Sequence, residues 1–177
     1  MTSAIHILNG LPFAPQKLES LAAKVEGVFG ITTDVLPSLL RIDRAFDQSR
    51  RQYNSTALLA LLINQSAPTG TKHILIVDVD LYIPVLTFVF GEAQLGGIAA
   101  IVSTHRLRDQ FYGLPHNELS MMHRLEKEVI HELGHTFGLY HCRQFECVMR
   151  SSTYVGEIDL KKAEPCESCS ALLNPYL

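Results

Sequence analysis

His131-Glu132-Leu133-Gly134-His135-Thr136-Phe137-Gly138-Leu139-Tyr140-His141 is the stretch from which the rest of the chain is read. His131 and His135 are four residues apart, so on an α-helix both rings leave one face, about 6 Å apart along the axis. That separation lets one nitrogen of each ring reach a single zinc ion at roughly 2.1 Å. Gly138 tolerates positive φ, so the helix can stop abruptly there and the chain can turn to return His141 as a third ligand. Three protein ligands leave the fourth position to water, the mark of a catalytic rather than a structural zinc. Glu132, beside the first ligand, is placed to take a proton from that water and to deliver it to a departing amine. A solitary histidine on an amphipathic helix is usually a surface or core residue, but three at this spacing, with a glutamate and a glycine between them, point to metal. His6, His73, His105, His116 and His123 have no partner at ligand spacing.

All four cysteines follow this stretch, as Cys142, Cys147, Cys166 and Cys169. They form two close pairs, each able to clasp one side of a tetrahedral ion. Four thiolates leave no open position, so the expectation is a second, structural zinc and therefore two Zn2+ per chain. Cys142 directly follows His141, which would couple the two metals through the backbone. Two disulfides, a redox-active Cys166–Cys169 pair and an iron–sulfur cluster are the alternatives.

Upstream, helical spacing of Met122, Leu125, Val129 and Leu133 extends the helix back to Glu118. Before it, Ala4–Leu8, Ile31–Val35, Lys72–Asp78, Leu86–Phe90 and Gly97–Ser103 read as strands. Two further helices are expected. One starts at Pro15 and ends near Gly27. The other is capped by Asn54 or Ser55, runs through Leu62 and is closed by Pro68 and Gly70. Strands and helices thus alternate, followed by a compact irregular tail. No repeat or low-complexity linker divides the chain. One domain over residues 1–177 is expected, with an N-terminal part to about residue 138 and a smaller part over about 139–177.

The composition is that of a globular protein: 177 residues, 47% hydrophobic and 19% charged. A formal net charge of −3 supplies no basic face for nucleic acid. The arginines between Arg41 and Arg51 are interrupted by Asp43 and Asp47 and read as a solvated surface. The apolar tract from Ile74 to Val102 is broken by Asp78, Asp80, Pro84 and Glu92, so it cannot span a membrane as one helix. The N-terminus has no basic segment leading into an apolar run, so a cytoplasmic, monomeric protein is expected, where clustered cysteines are more often metal ligands than disulfides.

The pattern His131-Glu132-x-x-His135-x-x-Gly138-x-x-His141 resembles the extended zinc signature of the metzincin clan of zinc endopeptidases. With Cys142, Cys147, Met149, Cys166 and Cys169 it is similar to the archaemetzincins in particular. That resemblance implies an α/β (α+β) zincin-like fold, a mixed twisted sheet packed on helices, with a zinc-binding helix and a small irregular C-terminal subdomain. It implies a catalytic zinc beside a four-cysteine structural zinc, and it gives Met149 the place of the methionine turn beneath the catalytic ion. It also implies an extended peptide lying antiparallel to the edge strand of the sheet, which is assigned to Gly97–Ser103. The spacer from Met149 to Cys166 is one residue shorter than is usual in that family. Ser151 stands where some clan members have a tyrosine, and Tyr154 is the nearest substitute. The function expected is hydrolysis of peptide bonds in a peptide or protein substrate. The alternatives are a zinc-stabilised peptide-binding module and a hydrolase of non-peptide amides.

Overall fold

Period-two burial explains the sheet. In β5 (Thr71–Val77), Ile74 and Ile76 are buried on one face, and Leu75 and Val77 are buried on the other. A strand covered on both faces needs apolar residues at every position, which is why this run lacks polar alternation. The computed structural model describes residues 2–11, 15–66 and 70–173. In it, β5 is the middle of a five-stranded mixed sheet ordered β2-β1-β5-β9-β8. β1 (Ala4–Asn9) lies between β2 (Thr33–Pro37) and β5, with Ile7 opposite both Val35 and Ile74. β9 (Ala99–Ser103) runs parallel to β5, and only β8 (Gly91–Ala93), at the edge, is antiparallel. A smaller mixed sheet joins β3 (Phe46–Asp47), β4 (Gln52–Asn54), β6 (Leu81–Ile83) and β7 (Leu86–Val89).

Helices cover both faces of the larger sheet. α1 (Pro15–Phe29) and α3 (Glu118–Thr136) bury Leu18, Val25, Leu125, Val129 and Leu133 with Ile5, Ile7, Ile74 and Ile76. α2 (Ser55–Gln65) buries Leu58, Leu59 and Leu62 against Leu75, Val77 and Ile101 on the opposite face. Each such fully buried side chain stabilises the fold by roughly 1.5–3 kcal/mol relative to exposure. Asn54 caps α2 by accepting from the Ala57 amide at 3.0 Å, and Asn117 caps α3 by accepting from Ser120 at 3.1 Å. Pro68 lies outside the described residues.

Four readings of the sequence need correction. Gly97–Ser103 is not an edge: β9 is buried along its whole length between β5 and β8, and the edge strand on that side of the sheet is β8. α1 runs past Gly27 and ends at Gly30, whose φ of +64 suits a helix terminator. The second strand starts two residues later than Ile31. The tail is not wholly irregular, since it carries α4 (Val155–Asp159) and α5 (Glu167–Leu173). α4 is fixed to α3 by the Arg124 guanidinium, which donates to both carboxylate oxygens of Asp159 at 2.7 and 2.8 Å, and by Lys127, which donates to the Ile158 carbonyl at 3.0 Å. No described helix is long and apolar enough to cross a membrane.

Candidate metal centre

α3 ends as the sequence requires. At Gly138 φ is +87; its amide donates to the His135 carbonyl at 2.9 Å, and the Leu139 amide donates to Gly134 at 3.0 Å. These paired bonds are those of a helix terminated by a left-handed glycine. The reversal carries His141 back, so that its ring centroid lies 5.3 Å from that of His131 and 4.9 Å from that of His135. Nε2 of His131 and Nε2 of His135 are 3.1 Å apart, and one nitrogen from each of the three rings falls within 4.8 Å of the others.

Tautomers follow from the outer contacts. Nδ1 of His131 lies 2.7 Å from the Val148 carbonyl, and Nδ1 of His135 lies 2.7 Å from the Leu139 carbonyl. A carbonyl can only accept, so both protons sit on Nδ1 and both Nε2 lone pairs face the common centre. Burial pushes His131 well below the ordinary imidazole range, and it lowers His135 and His141 as well. Neutral imidazoles with converging lone pairs are the donor set that zinc accepts. Nitrogens 2.1 Å from a tetrahedral ion would be about 3.4 Å apart, close to the spacing found.

Glu132 is buried beside this group, against the edge strand. A Cβ added at Gly91 would stand 2.8 Å from Cγ and Oε1 of Glu132 and 2.6 Å from the Ile101 carbonyl, so only glycine fits there. Burial, then Glu128 and Glu92, push the Glu132 carboxyl well above its usual range. Glu128, one helical turn earlier on the same face, is raised by burial despite the opposing charge of Lys161. Nζ of Lys161 lies 3.7 Å from Glu128 and donates to the Val148 carbonyl at 3.4 Å, the same carbonyl that receives His131. Glu128, His131, Glu132 and His141 line one side of a cleft of ≈ 380 Å³, which Leu86 to Gly91 line together with Ser151, Ser152 and Thr153. Tyr154 is exposed and is not among the cleft residues.

Met149 is fully buried, and a Cβ at Gly134 would collide with its sulfur, so the methionine packs directly on α3. Its carbonyl accepts from the Cys142 amide at 2.9 Å, which ties the returning His141–Cys142 segment to that turn. The four thiols meet immediately beyond it. All are free, with Sγ separations of 3.7 Å for Cys142–Cys166 and 3.9 Å for Cys147–Cys169. Tetrahedral thiolates 2.3 Å from zinc would be about 3.8 Å apart, whereas a disulfide requires about 2.05 Å. Backbone amides of Gln144 and Cys166 donate to sulfur at 3.4 and 3.2 Å, and the Cys169 amide holds Cys166 down to about 7. α5 supplies Cys169, and Cys166 immediately precedes it.

Three comparisons bear on this geometry. A family model described as "Peptidase family M54" matches residues 19–175. The chain belongs to peptidase family M54. It is 42% identical over 153 residues to an archaemetzincin of Methanocaldococcus jannaschii, covering 86% of this chain and 82% of that one. It is 38% identical over 169 residues to an archaemetzincin of Haloquadratum walsbyi, covering 94% and 95% respectively. A crystal structure of a zinc-dependent peptidase from Methanocorpusculum labreanum superposes with a TM-score of 0.88 at 28% identity, over 96% of this chain and all of the other. The archaemetzincin of Methanopyrus kandleri gives 0.85 at 30% identity, over 98% and 94%. The M54 chain is therefore a zinc-dependent peptidase of the archaemetzincin type, with the mixed α/β fold expected.

Sequence reasoning did not find Gly91, Glu128 or Lys161. The i, i+4 relation of Glu128 to Glu132 was a usable signal. Gly91 and Lys161 had none, because their partners lie on other elements.

Proposed function

We propose that this peptidase cleaves peptide bonds with Glu132 as the general base, and that His131, His135 and His141 hold the catalytic zinc. The burial of Glu132 beside three converging neutral imidazoles carries this reading. When bound, zinc supplies Lewis acidity that polarises a carbonyl and acidifies water. Glu132 takes the proton from the attacking water and passes it to the leaving amine. Gly91 keeps the carboxylate within reach by letting strand β8 pass close beside it. The unpaired edge of β8 offers backbone donors and acceptors to an extended substrate, independent of its sequence. Cys142, Cys147, Cys166 and Cys169 would hold a second zinc that fixes the tail and, through Met149 and Cys142, the return of His141. Gly138 and Met149 support the site without touching substrate. The four free cysteines support a reducing, cytoplasmic setting, and we take the working unit to be one chain acting on a peptide or protein, with no nucleic-acid or membrane partner.

The test is turnover of a diverse peptide library by zinc-loaded protein, with new termini read by mass spectrometry. Glu132→Ala should abolish new termini while zinc content stays at the wild-type level. Full turnover by that variant would remove Glu132 from the mechanism.

A further inference from the structure

Among the described residues, His73 Nε2, Glu128 Oε1 and Ser152 Oγ are buried side-chain polar atoms without a hydrogen-bond partner. Glu128 and Ser152 line the same cleft. Buried polar groups are almost always paired, so two unpaired atoms in one cleft mark a place where a ligand completes the bonding. We propose that the Glu128 end of the cleft is a subsite for a lysine or arginine side chain of the peptide substrate. The proposal rests on the peptidase reading above.

The chemistry of the lining selects that class. An ionised carboxylate accepts at about four lone-pair positions and donates none. Glu128 is only 4% exposed, and Lys161 stands 3.7 Å from Oε1, beyond good hydrogen-bond distance, while donating to Val148. Oε1 of Glu128 is therefore left without a hydrogen-bond donor, although Lys161 stands near it as a counter-charge. Lys161 is not part of the cleft lining, no lysine or arginine is, and Glu132 is the other charged group there. Leu86, Phe88 and Val89 supply an apolar wall for a methylene stem, so the cleft suits a long side chain with an apolar body and a cationic tip. Ser152 Oγ can accept a further hydrogen from that tip.

Competing side chains fit less well. An apolar one would close off water and leave Glu128 unpaired, and an acidic one would meet like charge. Burial raises the Glu128 carboxyl, and an arriving cation favours its ionised form, so ligand and charge reinforce each other. Glu128 precedes Glu132 by one helical turn, about 6 Å along the axis, which places the side chain it receives next to the bond being cut.

Binding separates this proposal from the chemistry. Zinc-loaded Glu132→Ala protein is titrated with peptide pairs that differ only in lysine against norleucine, moved one position at a time along the peptide. At one position lysine should bind at least about tenfold tighter, the factor that one hydrogen bond to a charged group provides. Adding Glu128→Gln should reduce that preference to within about twofold. Equal affinity for lysine and norleucine at every position, no binding of any lysine peptide, or a preference untouched by Glu128→Gln would overturn the proposal. If Glu128→Gln fails to fold because Lys161 loses its partner, the lysine–norleucine comparison alone decides. Absence of new termini with wild-type protein counts against the peptidase mechanism and leaves the subsite result standing.

Discussion

Replacing Gly91 with alanine should slow turnover without removing metal. The added Cβ meets the Ile101 carbonyl at 2.6 Å and Glu132 Cγ and Oε1 at 2.8 Å, whereas ordinary contact begins at 3.4 Å. Each neighbour must give by more than half an ångström. Ile101 lies in an interior strand buried on both faces, so the yielding parts are the Glu132 side chain and the edge strand itself. Both belong to the proposed reaction geometry, and a misplacement near 1 Å costs about 100-fold in rate. We expect kcat to fall by about 10–100-fold. Overpacking of this kind also costs about 1–3 kcal/mol of stability, and each kcal/mol lowers Tm by about 2–4 °C in a chain of this size. The histidines are untouched, so zinc content should match the wild type. Steady-state peptide cleavage, zinc stoichiometry and thermal melting test the three parts together. A Gly91→Ala protein with wild-type kcat would refute the claim that β8 positions Glu132.

Cys169→Ser should lower zinc content by one ion per chain and loosen the tail, read as a lower Tm and faster proteolysis beyond Met149, because a structural zinc site contributes folding free energy directly. Gly134→Ala should destabilise the protein by about 1–3 kcal/mol through collision with Met149, whereas Met149→Leu, close in volume, should cost less than about 1.5 kcal/mol; urea unfolding distinguishes the two. In metal-free protein Glu132→Gln should raise Tm at pH 8. A carboxyl whose folded pKa exceeds its ordinary value of 4.5 contributes stability below 4.5 and loses it as pH rises toward the folded pKa, so the advantage should fade as pH falls to 4.5. The histidines act in the opposite sense. Their lowered folded pKa makes metal-free protein lose stability as pH falls below about 6.5, since the unfolded chain then binds more protons; melting across pH 5–8 shows the slope.

The parts of the site legible in the sequence were those carried by one continuous segment. His131, Glu132, His135, Gly138 and His141 share a helix and its terminating turn, so spacing alone placed them. The four cysteines were legible as a set because their chemistry is restrictive, although nothing local showed that α5 would present Cys169. Long apolar strands such as β5 stood out, but β3, β4 and β8 span two or three residues and show no period to read. The sequence offers no direct mark of the edge strand, and the assignment of Gly97–Ser103 to that place fails on β9. Its unbroken apolar character through Val102 was the mark of a strand covered on both faces. Glu128 and Lys161 meet across α3 and the segment after α4, a pairing that only the tertiary fold creates. Gly91 likewise takes its meaning from Glu132, which reaches it from a different element.

A crystal structure of the zinc-loaded chain, with ions located by anomalous scattering, bears most directly on the whole account. Two ions per chain are expected: one within about 2.1 Å of a nitrogen of His131, His135 and His141, its remaining position open to solvent beside Glu132, the other enclosed by the four cysteine sulfurs. A structure in which His141 points away from the first ion, or in which a protein side chain fills its remaining position, would contradict the mechanism.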